Sequence, residues 1–197
     1  MDSHNFNESM QREQAKQKRA DDFYLKHLGA TDIVRYNRNT AADMKVQRMD
    51  IDVSFRHKDK LINISEKFRE KDFNDLYIEF YSKFPNTRGW LDKSQADYIT
   101  YFFPTRVFLI DEKKLGEFYK NYLSKAVSED TFKRLIEQNP NTNAQKRLCI
   151  NIQNRSYRTQ IIQAYNQIEN ASWYTMGIAI PFNVLSDFGI YCKEFNF

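Results

Sequence analysis

The chain is poor in the residues that punctuate or cross-link a fold. Its 197 residues include five glycines, four prolines and two cysteines. Cys149 and Cys192 are too few for a disulfide framework, and no Cys-x-x-Cys pair offers zinc a binding claw. His4, His27 and His57 lie too far apart for ligand spacing, which argues against a zinc centre. The scattered glycines form no phosphate-cradling loop, and no Ser-His-Asp order stands out. Long apolar runs are missing too. Val107-Phe108-Leu109-Ile110 and Ile178-Ala179-Ile180 fall far short of the roughly 20 residues that span a bilayer. Met1-Asp2-Ser3-His4-Asn5 is polar and has no apolar secretion signal. The expectation is a soluble cytoplasmic protein with no membrane partner.

What is present points to a packed domain. Hydrophobic residues at 41% and charged residues at 28% exclude a wholly disordered chain. Aromatics reach 15%, enough to furnish a core and leave some tyrosines exposed. The length suits one domain over 1–197, with 1–20 as a partly exposed polar helix. A net charge of +4 favours polyanionic partners only weakly.

Periodicity assigns the elements. Residues 8–28 read as a helix whose apolar residues, Phe23, Tyr24 and Leu28, come late, with Gly29 as its terminator. Lys16, Lys18 and Arg19 read first as a solvated face and second as phosphate contacts. Residues 29–42 read as loop and 43–48 as a helical turn. Met49, Ile51, Val53 and Phe55 then alternate with Asp50, Asp52 and Ser54, the pattern of a half-buried strand. A charged turn over 56–60 joins it to a second strand over 61–69 in a hairpin. Further strands are expected over 76–82, 98–103, 106–110, 148–152 and 175–181, and helices over 111–124, 129–138, 158–168 and at 181–185. Together these elements describe an α/β fold.

With the first three strands side by side in one sheet, their polar faces carry Asp52, Ser65, Lys67 and Glu79. Carboxylates hold a hard cation through oxygen. A bound cation polarises phosphate and activates water. A lysine beside them steadies the developing negative charge.

The order of these residues resembles the PD-(D/E)XK, or restriction-endonuclease-like, nuclease superfamily, in its small phage or mobile-element branch. The residues that carry the resemblance are Gln47-Arg48 before Asp52, Glu66-Lys67-Phe68-Arg69, Asp75 through Glu79 with Ser82, and Gly89-Trp90. Ala96-Asp97-Tyr98-Ile99 and Val107-Phe108-Leu109-Ile110 continue it. It covers residues 43–119 and, more faintly, 177–185. It implies a central mixed sheet of about five strands flanked by helices, and Mg²⁺- or Mn²⁺-dependent hydrolysis of DNA, with RNA as the second choice. Asp52, Lys67 and Glu79 are then catalytic, Asp52 and Glu79 hold the metal, and Gln47, Arg48 and Arg69 contact nucleic acid. Many members pair as dimers, but no interface is legible in this sequence.

One position departs from the pattern. Ser65 stands where the family carries an acidic residue, and alternation puts Glu66 on the opposite face with Ile64 and Phe68. Either Glu79 supplies the second carboxylate, or the fold is a catalytically inactive relative that binds nucleic acid or a partner protein, for example as a phage-encoded inhibitor of a host defence system. Structural roles stand beside the catalytic ones: Lys67 paired with Asp52, Glu79 with Arg69 or Lys67, Glu66 bonding an amide or a basic side chain, and Trp90 as a packing residue. Asp43 and Gln47 fit either metal-flanking or capping positions.

Overall fold

A 26-residue helix, α1 (Ser3–Leu28), opens the chain. The computed structural model describes residues 3–37 and 40–196, and of residues 3–10 the backbone alone. Residues 11–15 of α1 are exposed, whereas Ala20, Phe23 and Tyr24 are fully buried. Gly29 takes φ +62° and ends the helix, a conformation that costs any side chain and spares glycine. There follow β1 (Thr31–Arg35), α2 (Ala41–Gln47), β2 (Val53–His57), β3 (Lys60–Phe68), β4 (Asp75–Lys83), β5 (Thr87–Arg88) and a 3-10 turn at Trp90–Asp92. Next come β6 (Tyr98–Phe102), β7 (Arg106–Asp111), α3 (Glu112–Phe118), a π turn (Tyr119–Leu123), α4 (Ser124–Ala126) and α5 (Glu129–Gln138). The chain closes with β8 (Ala144–Ile152), β9 (Arg155–Ile168), β10 (Ala171–Pro181), α6 (Phe182–Asp187) and β11 (Cys192–Asn196).

The strands form two sheets. A mixed six-stranded sheet runs β1-β2-β3-β6-β7-β11, and an antiparallel five-stranded sheet runs β5-β4-β10-β9-β8. β2 and β3 make the expected hairpin, closed by Lys58 and Asp59, both at positive φ. β6 lies parallel to β3, with Ser65 opposite Ile99 and Lys67 opposite Tyr101.

Two apolar clusters cover the faces of the mixed sheet. On one face α1 lays Phe23 and Tyr24 over Val53, Phe55, Ile64 and Phe102. Each such side chain contributes roughly 1.5–3 kcal/mol by leaving water. On the other, Ile99, Tyr101, Phe108 and Ile110 meet Leu76, Ile78, Met176 and Ile180 of the second sheet, with α3, α5 and α6 filling in. Among the described residues, no helix is long and apolar enough to cross a membrane.

The α/β class, the mixed sheet and the N-terminal helix agree with the sequence reading, and several details differ. The single sheet of about five strands is instead two sheets, because β6 occupies the edge of β3 and β4 pairs with β10. Glu79 therefore approaches the hairpin from the other sheet. The helix expected over 158–168 is part of β9, where Tyr157, Thr159, Ile161 and Gln163 are buried in strict alternation. The loop expected over 29–42 contains β1 and the start of α2, whose N-cap is Thr40 accepting from Asp43 N–H. The first strand begins at Val53, because Asp50 sits in a turn at φ +54°.

Candidate functional site

The turn at Asp50 creates the site's centre. Asp50 N–H is held by Gln47 O at 3.0 Å. From there the carboxylate reaches β3, where Ser65 Oγ donates to Oδ2 at 2.6 Å and Lys67 Nζ to Oδ1 at 2.9 Å. Ser65 and Lys67 share a strand face by two-residue alternation, so one acid in the turn before β2 engages both. Ser65 is fully buried, and the Asp50 and Lys67 side chains are 11% and 21% exposed. An ion pair this sheltered is screened far less than a surface pair.

The second sheet closes the site through Gly89-Trp90. Gly89 N–H donates to Phe80 O at 2.9 Å, and a Cβ at Gly89 would lie 1.8 Å from Glu79 O. Only glycine lets the loop press against β4 there. Trp90, thus anchored and buried, lies 4.8 Å from Lys67 Nζ, close enough for a cation–π contact. The loop then returns to the Asp50 turn, where Gln95 N–H donates to Met49 O.

Asp52 lies beside this centre with a different partner. Its Oδ2 accepts the Glu66 backbone N–H at 2.8 Å. Glu66 faces the other way, as alternation requires. It accepts from Arg35 Nη1 at 2.9 Å and from Tyr24 Oη at 2.7 Å, while Arg35 also bonds Asp21 at 2.8 Å. Glu66 thus ties α1 and β1 to the hairpin in a structural role.

The residues expected to contact nucleic acid are spread out. Gln47 Nε2 donates to Tyr36 O, Arg48 is exposed at the end of α2, and Arg69 lies 5.7 Å from the rings of Phe73 and Tyr77. Of the basic residues in α1, Lys16 pairs with Glu13 at 2.8 Å and Arg19 donates to Phe103 O.

The structure adds three residues that the motif order did not supply: Asp50, Lys93 and Glu112. Asp50 could have been found in Met49-Asp50-Ile51-Asp52 by weighing both acids, whereas Glu112, the first residue of α3, carries no local signal. Burial pushes the Glu112 carboxyl up to about 7, with nearby Asp50 adding to the rise and Ser94 opposing it. Burial also raises Glu79 above the usual carboxylate range; Lys67 and Lys93 oppose the rise and Asp50 adds to it. Asp52 is raised by burial against the pull of Lys67, again with Asp50 adding. Asp50 is therefore the common neighbour of three carboxyls that each resist ionisation. Such concentrations of perturbed acids gather at functional sites.

This oxygen-rich donor set has the chemistry of a hard-cation site. Among the described residues, no three His, Cys, Asp or Glu side chains close into a ready-made metal cluster. Magnesium is commonly held by one or two carboxylates, with water and substrate phosphate completing its shell. Asp50 and Glu79, whose charges act on one another, are the carboxylates here that could supply such ligands. In comparisons with known proteins, no family model, curated protein or solved structure matches this chain.

Proposed function

We propose that this protein is a divalent-metal-dependent nuclease that hydrolyses phosphodiester bonds in DNA. The observation that carries the reading is the sheltered Lys67–Asp50 pair, capped by Trp90 and surrounded by carboxyls of raised pKa. Isolated charges are costly to bury, and a fold gains little net stability from such a pair. A catalytic centre for phosphate chemistry uses the same groups directly.

Asp50 and Glu79 would hold Mg²⁺ or Mn²⁺, and Asp52 would brace the β3 backbone through Glu66 N–H. When bound, the ion supplies charge to polarise the phosphate and lower the pKa of a water. Lys67 offsets the negative charge that grows on the phosphate oxygens as water attacks phosphorus and the P–O bond to the leaving oxygen breaks. Trp90 keeps bulk water away from the Lys67 ammonium, strengthening that interaction. Glu112, with its pKa near neutrality, is suited to take up a proton released by the water.

The test is cleavage of plasmid and linear DNA with Mg²⁺, Mn²⁺ or EDTA. Asp50→Ala and Lys67→Ala are each expected to lower the rate by about 10²–10³-fold while remaining folded. Cleavage that survives both changes overturns the reading.

One observation favours a second reading, a binding protein on the same fold. Both Asp50 oxygens are already engaged, one by Ser65 and one by Lys67. In that case calorimetry with Mn²⁺ gives no binding heat, no DNA is cut, and a nucleic-acid or protein complex forms without metal.

A further inference from the structure

The face of the five-stranded sheet that carries Glu79 has a second feature, beside the Asp50 centre. Asp75, Tyr77 and Glu79 alternate along β4 on the face opposite the buried Leu76 and Ile78. Antiparallel pairing continues that face across the sheet. Glu79 lies opposite Gly177 and Tyr77 opposite Ala179, Ala179 lies opposite Gln160, and Gln160 lies opposite Arg147. Arg158, two residues before Gln160 on β9, shares the face and is opposite Cys149. From β4 to β8 this surface crosses three interstrand steps, about 14 Å.

A pocket of about 730 Å³ occupies the part of this face furthest from Glu79. Arg147, Arg158, Gln160, Asp75, Ala179 and Phe73 are among the residues that line it. Both arginines are exposed, and among the described residues neither forms an ion pair. Phe73 is 58% exposed, an unusual position for a phenyl ring, and Arg69 lies 5.7 Å from it. Asp75 Oδ1 is buried and has no hydrogen-bond partner among the described residues. Two unpaired guanidinium groups suit phosphates. An open aromatic ring suits the face of an unstacked base, and an unused acceptor suits the N–H groups of its edge. A base offers those surfaces only when it is unpaired.

The geometry points to this pocket as a binding site for single-stranded DNA, with Arg147 and Arg158 on the phosphates and Phe73 stacking on a base. The strand runs along the β4 face past Arg69 and Tyr77 toward Glu79. This inference rests on the nuclease reading for what the strand is presented to, and its test reads binding alone. Glu79 and Asp75 are four residues apart on one strand, so the pocket edge lies about 13 Å from the proposed metal ligand. A nuclease built this way selects overhangs, flaps or unwound DNA over closed duplex.

The experiment is fluorescence anisotropy with a dye-labelled 12-nucleotide oligothymidylate, in EDTA, across a series of salt concentrations. The intact chain is expected to bind it more tightly than a 12-base-pair duplex. Arg147→Gln/Arg158→Gln is expected to weaken binding at least tenfold and to reduce the log–log salt slope by about 1.4, the loss of two phosphate contacts to a single strand. Phe73→Ala is expected to weaken binding roughly fivefold or more with the slope unchanged. The control, Lys113→Gln/Lys146→Gln, removes the same charge outside the pocket. Equal weakening by the control, tighter binding of duplex, or no binding by the intact chain overturns the inference. Thermal melts verify that each variant is folded. Lost cleavage with retained single-strand binding counts against the nuclease reading alone, and lost binding with retained cleavage against the pocket alone.

Discussion

Lys67 on β3 reaches the carboxylate of Asp50, in the turn before β2, at 2.9 Å, and that contact joins a strand to a segment outside the sheet. Its strength can be measured apart from any activity. In a double-mutant cycle with Asp50→Asn and Lys67→Met, each single change leaves a sheltered charge without its partner. The coupling is expected at about 0.5–3 kcal/mol in urea denaturation. Additive effects would show the pair to be a surface contact in solution.

Gly89 is required by its close approach to β4. Gly89→Ala places a methyl group on the Glu79 carbonyl, so the loop must withdraw and take Trp90 from Lys67. The expected loss is about 1–3 kcal/mol, with a change in tryptophan emission. An unaltered midpoint and spectrum would mean that the loop is not held against β4.

Arg35 neutralises a carboxylate that is otherwise shut away, since the Glu66 side chain is 6% exposed. Arg35→Met is expected to destabilise the fold by about 3–5 kcal/mol. Arg35→Met/Glu66→Leu should recover much of that loss, because the orphaned charge goes too. If the double variant is no better than the single, packing of the arginine stem dominates.

Glu112 gives the fold a pH dependence of definite sign. A carboxyl whose folded pKa is about 7, against 4.5 when unfolded, contributes stability that is complete below 4.5 and is lost as pH rises through 7. Glu112→Gln should therefore match the wild type near pH 4.5 and melt higher at pH 8, by about 2–4 °C for each kcal/mol relieved. A constant difference between the two proteins across that range would contradict it.

Ser65→Asp sets a second carboxylate against Asp50, whose Oδ2 lies 2.6 Å from the native hydroxyl. In EDTA this variant should melt below the wild type. Saturating Mn²⁺ should raise its melting temperature by more than the wild type's, since about 2.7 kcal/mol is gained at a hundredfold excess over Kd. Equal responses to Mn²⁺ in both proteins would count against a cation at this position.

Local pattern alone determined much of this protein. The hairpin of β2 and β3, the opposite faces of Ser65 and Glu66, the late burial in α1 and its end at Gly29 all follow from period and backbone preference, which neighbouring residues impose on one another. Pairing partners followed no such rule. Alternation cannot say that β6 takes the edge of β3, or that β4 joins β10 in a second sheet with Glu79 near enough for the Lys67 charge to act on it. A left-handed residue at Asp50 turned that carboxylate toward β3, which a two-residue period does not foresee. The Lys67 ammonium found its carboxylate at Asp50, because a turn outside the sheet placed that group within reach and the Glu66 amide had engaged Asp52. Glu112 and the arginine-lined pocket depend on contacts between residues far apart in the chain, and only the packed fold decides those.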